Sequence, residues 1–475
     1  MLFPTLEFGL FFLLVYAASW ALRDRLLPRK LLLLAASYFF YGYWDWRFLG
    51  LLALSSALNY LAGAALGRAA SRRRAKLIVT GAVSANLIIL GFFKYYGFFL
   101  DSLTDLLLLL GIQRDLPLLE IILPIGISFF TFQGISYVVD LYRGQIKPVA
   151  SPLDLFLYIS FFPQLVAGPI VRASHFLPQL NKTPTLGAAS FSYGLILILS
   201  GLFKKTILAH YLAVDLVDPV FFSPSDYSTL DLIGAHYAYA IQVYLDFSGY
   251  SDIAIGVAAL LGFRFRKNFD RPFSAISLAQ LWQRWHISLS TWLRDYLYRA
   301  LRGEKKESSV LLTYRNMFLT MLLGGLWHGA AWTFIIWGGI HGLALVAERH
   351  IKRHVHWPAA AWQRHLSPVI GWFVTFHVFS LAAIFFRSPD MHIATSYFTS
   401  MLAFSPGIDR FTPLMLVLVS GVVAVQFLPA NALERLAARG QSLPAVLMGL
   451  IFGSAIMFME AIGPEGVAPF IYFQF

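Results

Sequence analysis

Two histidines lie inside stretches that are otherwise apolar enough to enter a membrane. His328 lies in Gly324-Gly-Leu-Trp-His-Gly-Ala-Ala-Trp, and His286 lies in Leu281-Trp-Gln-Arg-Trp-His-Ile-Ser-Leu-Ser. An ionisable side chain at membrane depth is costly, so a functional role is the first hypothesis for it. A neutral imidazole accepts a proton from a hydroxyl group. Both residues are therefore candidate general bases, and the structural alternative is an interhelical hydrogen bond at a tight helix crossing.

A third histidine, His341, follows His328 after thirteen residues, in Trp337-Gly-Gly-Ile-His-Gly. On one continuous helix this separation is about 20 Å of rise, so the two imidazoles would not share a proton or a metal ion. A break at Gly338–Gly339 would bring them closer together. We therefore expect His341 to be a structural or supporting residue.

Two aspartates lie in the apolar segment Leu245-Asp-Phe-Ser-Gly-Tyr-Ser-Asp. Carboxylates at membrane depth either carry protons or pair with basic side chains. Asp246 and Asp252 are accordingly interpreted as a proton relay or as partners of arginines such as Arg284 and Arg294.

Several other chemistries are excluded. The chain has no cysteine, which rules out disulfides, thiolate nucleophiles and iron–sulfur ligation. Gly-rich phosphate-binding motifs and the HExxH metalloprotease signature are absent. His350 and His354 lie four residues apart in a basic run without an acidic third ligand, so no metal site is predicted.

The composition indicates what kind of element positions these residues. Of the 475 residues, 58 % are hydrophobic and 13 % are charged, whereas soluble domains have about 45–50 % apolar and about 25 % charged residues. The sequence predicts an all-α polytopic integral membrane protein with about ten to thirteen membrane segments. The 37 basic residues outnumber the 25 acidic ones. Because they cluster between apolar runs and form no nucleic-acid motif, we expect no nucleic acid partner.

Charge placement predicts the orientation in the membrane. The first apolar run ends at Trp20 and basic residues follow it, so we expect an N-terminus on the periplasmic side. The basic runs at 68–76 and 143–147 then face the cytoplasm, and 101–118, with three aspartates, faces outward. The segment 274–301 is too polar to face lipid and too apolar for a free loop. Short helices that dip into the bilayer or lie along it fit this pattern.

Several long motifs together carry a resemblance to a known family. The chain resembles the membrane-bound O-acyltransferases, and among them the members that serve bacterial alginate O-acetylation. The resemblance covers about 30–345, with 346–475 less diagnostic, and suggests one membrane domain over 1–475. The motifs are Pro124-Ile-Gly-Ile-Ser-Phe-Phe-Thr-Phe, Tyr137-Val-Val-Asp-Leu-Tyr-Arg-Gly, Phe161-Phe-Pro-Gln-Leu-Val-Ala-Gly-Pro, the aspartate segment 245–256, Asn268-Phe-Asp-Arg-Pro-Phe, the tryptophan–histidine block 281–298 and Thr313-Tyr-Arg-Asn with Gly-Leu-Trp-His-Gly.

The resemblance implies a ring of membrane helices around a thinned centre, with a cytoplasmic funnel for the acyl thioester and an opposite opening for the acceptor. It implies that His328 is the essential catalytic residue and that His286 is the second. Basic side chains at 264–267, 305 and 306 are candidates for attracting the phosphates of coenzyme A. Candidates for binding the substrates or supporting the two histidines are Trp285, Arg284, Ser288, Arg294, Asp295, Asn316, Trp327, Asp246 and His341.

The implied activity is an O-acetyltransferase of the bacterial inner membrane, with acetyl-CoA as donor substrate and no bound cofactor. The expected partners are a periplasmic acetyltransferase and the synthesis and secretion complex of an exopolysaccharide such as alginate or cellulose. Two alternatives stay open. One is transfer of D-alanyl or another acyl group to a cell-envelope polymer. The other is a proton-coupled transporter or flippase, and inverted repeats in the sequence would support that alternative.

Overall fold

Every element that the structure describes is helical, as the composition predicts. The structure is a computed structural model, and it describes residues 1–112, 119, 121–166, 168–185, 187–303, 309–355 and 367–463. Within these ranges there is no β-strand. The backbone polar groups are therefore paired within helices, which is the arrangement that a bilayer demands.

The chain packs as two compact units. The first comprises Met1–Leu186 and Val257–Phe265, and the second comprises Gly187–Gly256 and Arg266–Phe475. These units describe the packing of the chain, and one membrane domain over 1–475 stays a prediction.

The described part of the first unit contains eight α-helices, and two of them begin at a side-chain cap. Thr5 and Ser71 each accept a hydrogen bond from a backbone N–H in the first turn of the helix that follows, which satisfies one of the free donors there. Gly126, at φ 77°, precedes another helix in a left-handed conformation. The helices are α1 Leu6–Ala21, α2 Leu26–Asp45, α3 Leu49–Gly67, α4 Arg72–Leu109, α5 Ile127–Tyr142, α6 Pro152–Ser160, α7 Phe162–Leu165 and α8 Ala173–Leu180.

Polar contacts hold the first unit together inside its apolar surface. Asn59 of α3 and Asn86 of α4 exchange two side-chain hydrogen bonds of 3.2 and 3.1 Å. Lys30 of α2 pairs with Asp154 of α6 at 2.7 Å. Paired amides and charges of this kind join helices where a single polar group would be costly.

The second unit contains the longer run of helices and both candidate catalytic histidines. Three segments have the wider π-type turn, at Phe203–Ala209, Ala213–Val217 and Leu293–Tyr298. The helices are α9 Ala188–Leu202, α10 His210–Leu212, α11 Asp218–Phe222, α12 Thr229–Leu260, α13 Leu278–Arg284, α14 Ile287–Trp292, α15 Arg299–Arg302, α16 Val310–His328, α17 Trp332–His354, α18 Ser367–Arg387, α19 Met391–Leu402, α20 Pro413–Val425, α21 Ala432–Gly440 and α22 Ala445–Ile462.

Four stretches of the described chain are long and apolar enough to cross a membrane: Leu26–Gly67, Arg72–Leu109, Ser190–Phe222 and Ser367–Arg387. Shorter apolar helices are Leu6–Ala21, Pro413–Val425 and Val446–Ile462. Side chains such as Leu77 and Ile88, both more than two-thirds exposed, give these helices an apolar outer surface. The total of ten to thirteen membrane segments stays a prediction.

Some apolar segments of the sequence correspond to more than one helix in the structure. The apolar stretch 152–171 is divided among short helices, and 311–346 is a hairpin of α16 and α17 that breaks at Gly329–Ala331. Gly338 and Gly339, where a break would have brought His328 and His341 closer together, lie within α17. Within 274–301, α13 is a short helix as predicted, whereas α14, the π-type segment Leu293–Tyr298 and α15 follow one another without a break over 287–302. Their placement in the bilayer stays a prediction.

Candidate active site

His328 is the last residue of α16 and its side chain is 4 % exposed. Its imidazole meets three aromatic rings, with centroids at 5.0 Å for Trp327, 5.0 Å for Trp337 and 5.2 Å for Phe386. The latter two contacts are nearly edge-on, at 83° and 69°, the geometry that the positive ring edge and negative ring face favour. The predicted general base therefore lies in a buried, aromatic-lined pocket.

His341 lies one helix further along the chain but close to the same pocket. Its ring centroid is 4.7 Å from Trp337 of α17 and 5.1 Å from Trp282 of α13, and its side chain is fully buried. Since His328 and His341 both contact Trp337, the separation of their rings cannot exceed the sum of those two distances. The 20 Å expected for one continuous helix is thus corrected, because the chain reverses between the two residues.

Glycines allow the two helices of this hairpin to approach. A Cβ atom on Gly325 would lie 2.3 Å from the backbone oxygen of Phe334, and one on Gly338 would lie 2.5 Å from that of Met321. No real side chain tolerates such distances, so the crossing requires glycine at both positions. Small residues at a helix interface are the usual means of close packing in membranes.

His286 lies at a sharp turn between α13 and α14. Its backbone is left-handed, with φ 40° and ψ 55°, an uncommon conformation for a residue with a side chain. The imidazole is fully buried, with its centroid 4.5 Å from Phe247 and 6.2 Å from Trp327. Trp327 therefore lies beside both predicted catalytic histidines.

Asn268 holds this turn in place. Its backbone oxygen accepts from Ile287 N at 2.8 Å, and its side-chain oxygen accepts from the Ser288 hydroxyl at 2.8 Å. Its amide nitrogen donates to the Ser251 hydroxyl of α12 at 3.1 Å. Ser288, predicted as a supporting residue, thus helps to fix the backbone on which His286 is carried.

Three ring systems in this region leave polar atoms unsatisfied. Five buried nitrogens of these rings have no hydrogen-bond partner among the residues that the structure describes. They are both ring nitrogens of His286, both ring nitrogens of His341 and the indole nitrogen of Trp282. Buried polar groups in proteins are almost always paired with protein or with ordered water. Water or polar substrate atoms are therefore the partners that these nitrogens would take.

Three further residues that were predicted to support the site have the following contacts in the structure. Trp285 is buried, with its ring 4.8 Å from Phe379. Arg284 donates to the Ser274 hydroxyl at 2.6 Å. Asn316 of α16 is buried and accepts a hydrogen bond from Arg315 at 2.9 Å.

A separate ionic cluster lies on the π-type segment and α15. Asp295 is mostly buried and pairs with Arg294 at 3.0 Å and with Arg299 at 3.4 Å. Arg294 is thus bound to its neighbour in sequence. Lys305 and Lys306, two of the predicted phosphate attractors, lie outside the described residues. Lys267 forms an ion pair with Glu434.

The aspartates of α12 pair with lysines, which corrects the predicted pairing with arginines. Asp252 pairs with Lys204 at 2.6 Å, and Asp246 pairs with Lys205 in a buried contact. Both lysines lie on the π-type segment Phe203–Ala209. Pairing with a cation makes a buried carboxylate tolerable, so these ion pairs are the structural alternative to a proton relay.

Sequence reasoning missed Trp282, Phe379 and Phe386 as parts of the pocket. Trp282 lies in the same motif as His286, so its proximity in sequence was the available signal. The two phenylalanines lie seven residues apart on α18, which places them on one helical face, but nothing in their spacing indicates a histidine as neighbour.

Comparison with known proteins identifies the class of chemistry. Residues 142–387 match the model of the membrane-bound O-acyltransferase family. The chain is 42 % identical over 379 residues to the probable alginate O-acetylase of Pseudomonas aeruginosa, covering 79 % of this chain and 70 % of that protein. It is 35 % identical to the peptidoglycan O-acetyltransferase of Helicobacter pylori, with 83 % of this chain and 76 % of that protein covered. It is 29 % identical to the teichoic acid D-alanyltransferase of Bacillus subtilis, with 56 % of this chain and 69 % of that protein covered. The resemblance in the motifs is confirmed, and the chain belongs to the membrane-bound O-acyltransferase family, as a membrane acyltransferase with several apolar helices.

Proposed function

We propose that this protein is an O-acetyltransferase of the bacterial inner membrane that takes acetyl groups from cytoplasmic acetyl-CoA for O-acetylation of a secreted exopolysaccharide such as alginate. The observation that carries the proposal is the buried His328, which lies at the end of α16 among Trp327, Trp337 and Phe386. The names of the relatives, an alginate O-acetylase and a peptidoglycan O-acetyltransferase, support an acetyl group and an envelope polymer.

In the reaction, a ring nitrogen of His328 takes the proton of the acceptor hydroxyl as its oxygen attacks the acetyl carbon. The new C–O bond forms, the C–S bond of the thioester breaks, and the thiolate of coenzyme A leaves. The proton taken up by the imidazole returns to that thiolate or to solvent. The products are an acetyl ester and free coenzyme A, so atoms and charge balance.

The remaining rate enhancement comes from positioning. Holding the thioester and the hydroxyl together converts a bimolecular step into an effectively unimolecular one. His286, whose two buried nitrogens have no partner among the described residues, is suited to donate a hydrogen bond to the thioester carbonyl, where negative charge develops. Cationic side chains such as Arg264 and Arg266 attract the phosphates of coenzyme A. Expected partners are a periplasmic acetyltransferase and the polymer's secretion complex.

The test uses a host that makes unacetylated alginate because its own O-acetylase has been deleted. Expression of the unchanged chain should restore ester-linked acetyl groups on the secreted polymer. His328→Ala should reduce the acetyl content about 100-fold or more, since loss of a general base costs at least that factor. The matched control is His350→Ala, which removes an exposed imidazole from α17 and should change nothing.

The outcomes separate this proposal from its rivals. Undiminished acetylation with His328→Ala, at equal protein level in the membrane, would contradict the role of His328. Transfer of D-alanine, with no acetyl transfer, would favour the activity named for the Bacillus subtilis relative. Proton-coupled uptake without consumption of any thioester would identify a transporter.

A further inference from the structure

His341 and Trp282 form a small polar group within the aromatic pocket. Their rings are 5.1 Å apart and nearly perpendicular, at 88°. The indole N–H and both imidazole nitrogens are buried, and none has a hydrogen-bond partner in the described part of the chain. Since the two side chains do not bind each other, all three nitrogens remain open to a third group.

Leaving these atoms unpaired would destabilise the fold. A buried donor or acceptor without a partner costs about 1–3 kcal/mol, and native proteins avoid this with ordered waters that make two to four hydrogen bonds. An indole supplies one donor, and a neutral imidazole supplies one donor and one acceptor. Because the two nitrogens of one imidazole point in different directions, a single water pairs with the indole N–H and one imidazole nitrogen, and these two partners are the minimum for a held water.

This group lies next to the predicted general base. His341 is 4.7 Å from Trp337, and His328 is 5.0 Å from the same ring. The separation of the two imidazoles is thus one that one or two hydrogen-bonded waters bridge. The Gly325–Gly338 crossing fixes this arrangement, because it holds α16 against α17 between the two histidines.

We propose that His341 is a proton-relay residue: a water molecule held by His341 and the Trp282 indole carries the proton from His328 to His341. This inference rests on the proposed acetyl transfer. In the relay step the imidazolium of His328 gives an N–H proton to the water, and the water gives one to the free nitrogen of His341. The proton then returns through the same water to His328 and passes to the departing thiolate of coenzyme A, so both imidazoles are neutral again after each turnover. The relay itself changes only N–H and O–H bonds.

The experiment measures release of thiol from acetyl-CoA by the purified full-length protein, with deacetylated alginate oligosaccharides and water as acceptors. The chain contains no cysteine, so a thiol reagent reports only coenzyme A. Two variants are compared: His341→Gln still binds water but does not carry a proton, and His341→Phe retains only the ring shape. His350→Phe is the control on the exposed part of α17.

Both His341 variants should lower kcat about tenfold or more, with the KM for acetyl-CoA unchanged within about twofold, because the relay acts after binding. The solvent deuterium isotope effect on kcat should rise in His341→Gln, since proton transfer becomes rate-limiting. Size exclusion and thermal melting confirm that the variants fold; if His341→Phe does not, His341→Gln decides alone.

A kcat of His341→Gln equal to that of the unchanged protein would overturn the relay. A loss seen only in KM, or an unchanged isotope effect, would overturn it as well. Failure of the unchanged protein to release thiol would contradict acetyl-CoA as donor, and the relay with it. The two failures are therefore distinguishable.

Discussion

The backbone of His286 explains how one residue can be both strained and useful. Its left-handed conformation costs about 1 kcal/mol or more for a residue with a Cβ, except asparagine or aspartate, which adopt it more readily. Asn268 compensates with hydrogen bonds to Ile287 and Ser288, which follow His286, and it is itself held by Ser251 of α12. The strain persists because this turn directs the imidazole into the pocket, beside Phe247 and Trp327.

At the residue scale, we expect His286→Asn to separate fold from chemistry. Asparagine tolerates the left-handed backbone, so the melting temperature should stay within a few degrees of that of the unchanged protein. The rate of acetyl transfer should fall about 100-fold, because the shorter asparagine side chain no longer places a donor at the carbonyl that the imidazole polarises. Thermal melting and thiol release measure the two quantities. Full activity of this variant would show that His286 serves only to shape the turn.

The α16–α17 hairpin is the element that assembles the pocket. It brings His328 at the end of one helix and His341 in the middle of the other to the same tryptophan. The position of the crossing is fixed by backbone contact at Gly325 and Gly338. A small shift of one helix along the other would therefore move both imidazoles relative to each other.

At the element scale, two neighbouring glycines of α17 should respond differently to alanine. Gly338→Ala should lower both stability and turnover, whereas Gly339→Ala should lower neither. A Cβ at Gly338 would lie 2.5 Å from a backbone oxygen, whereas one at Gly339 would meet only a leucine methyl group at 3.7 Å. Gly338→Ala should destabilise the protein by about 1–3 kcal/mol and reduce turnover about 100-fold through misplaced imidazoles.

Gly339→Ala should keep full activity and melt at the same or a higher temperature, because alanine favours the helix by about 0.5–1 kcal/mol over glycine. Thermal melting and thiol release of the pair are the measurement. Equal behaviour of the two variants would contradict the close crossing.

At the scale of the whole molecule, the charges at the two ends of α4 indicate how the chain is oriented in the membrane. Its 38 residues extend over about 57 Å, which exceeds the hydrocarbon thickness of about 30 Å. One end carries Arg72, Arg73 and Arg74, and the other carries Asp101 and Asp105. The basic end belongs in the cytoplasm by the positive-inside rule.

Single cysteines test this orientation in a chain that has none. Asp105→Cys, at an exposed position, should react with a membrane-impermeant maleimide in intact cells. Ala70→Cys, exposed before the other end of α4, should react only after the inner membrane is permeabilised. The unchanged protein should give no label. The reverse pattern would place the N-terminus in the cytoplasm and invert the proposed path of the acetyl group.

Much of the fold could be predicted from local patterns. Apolar runs indicated the helices, and the mixed tryptophan, arginine and histidine content of 274–301 indicated the short ones, because both signals depend on neighbours in sequence. The chain reversal at Gly329–Ala331 was not predicted, and a break was considered only at Gly338–Gly339, since Gly329 and Gly338 look alike without their neighbours. In the structure, Phe334 packs where a Cβ of Gly329 would lie, and Met321 packs against Gly338.

The amino-acid sequence by itself determined the membrane helical class, the family and the two motif histidines, because composition, periodicity and motif order are properties of the chain alone. Only the tertiary structure decided that Trp282 packs against His341 and against Trp337, the ring that His328 also contacts, and that Asp246 pairs with Lys205. These contacts join different helices at long sequence separation. They depend on the register at which the helices cross, which is set by packing at glycines and aromatic rings.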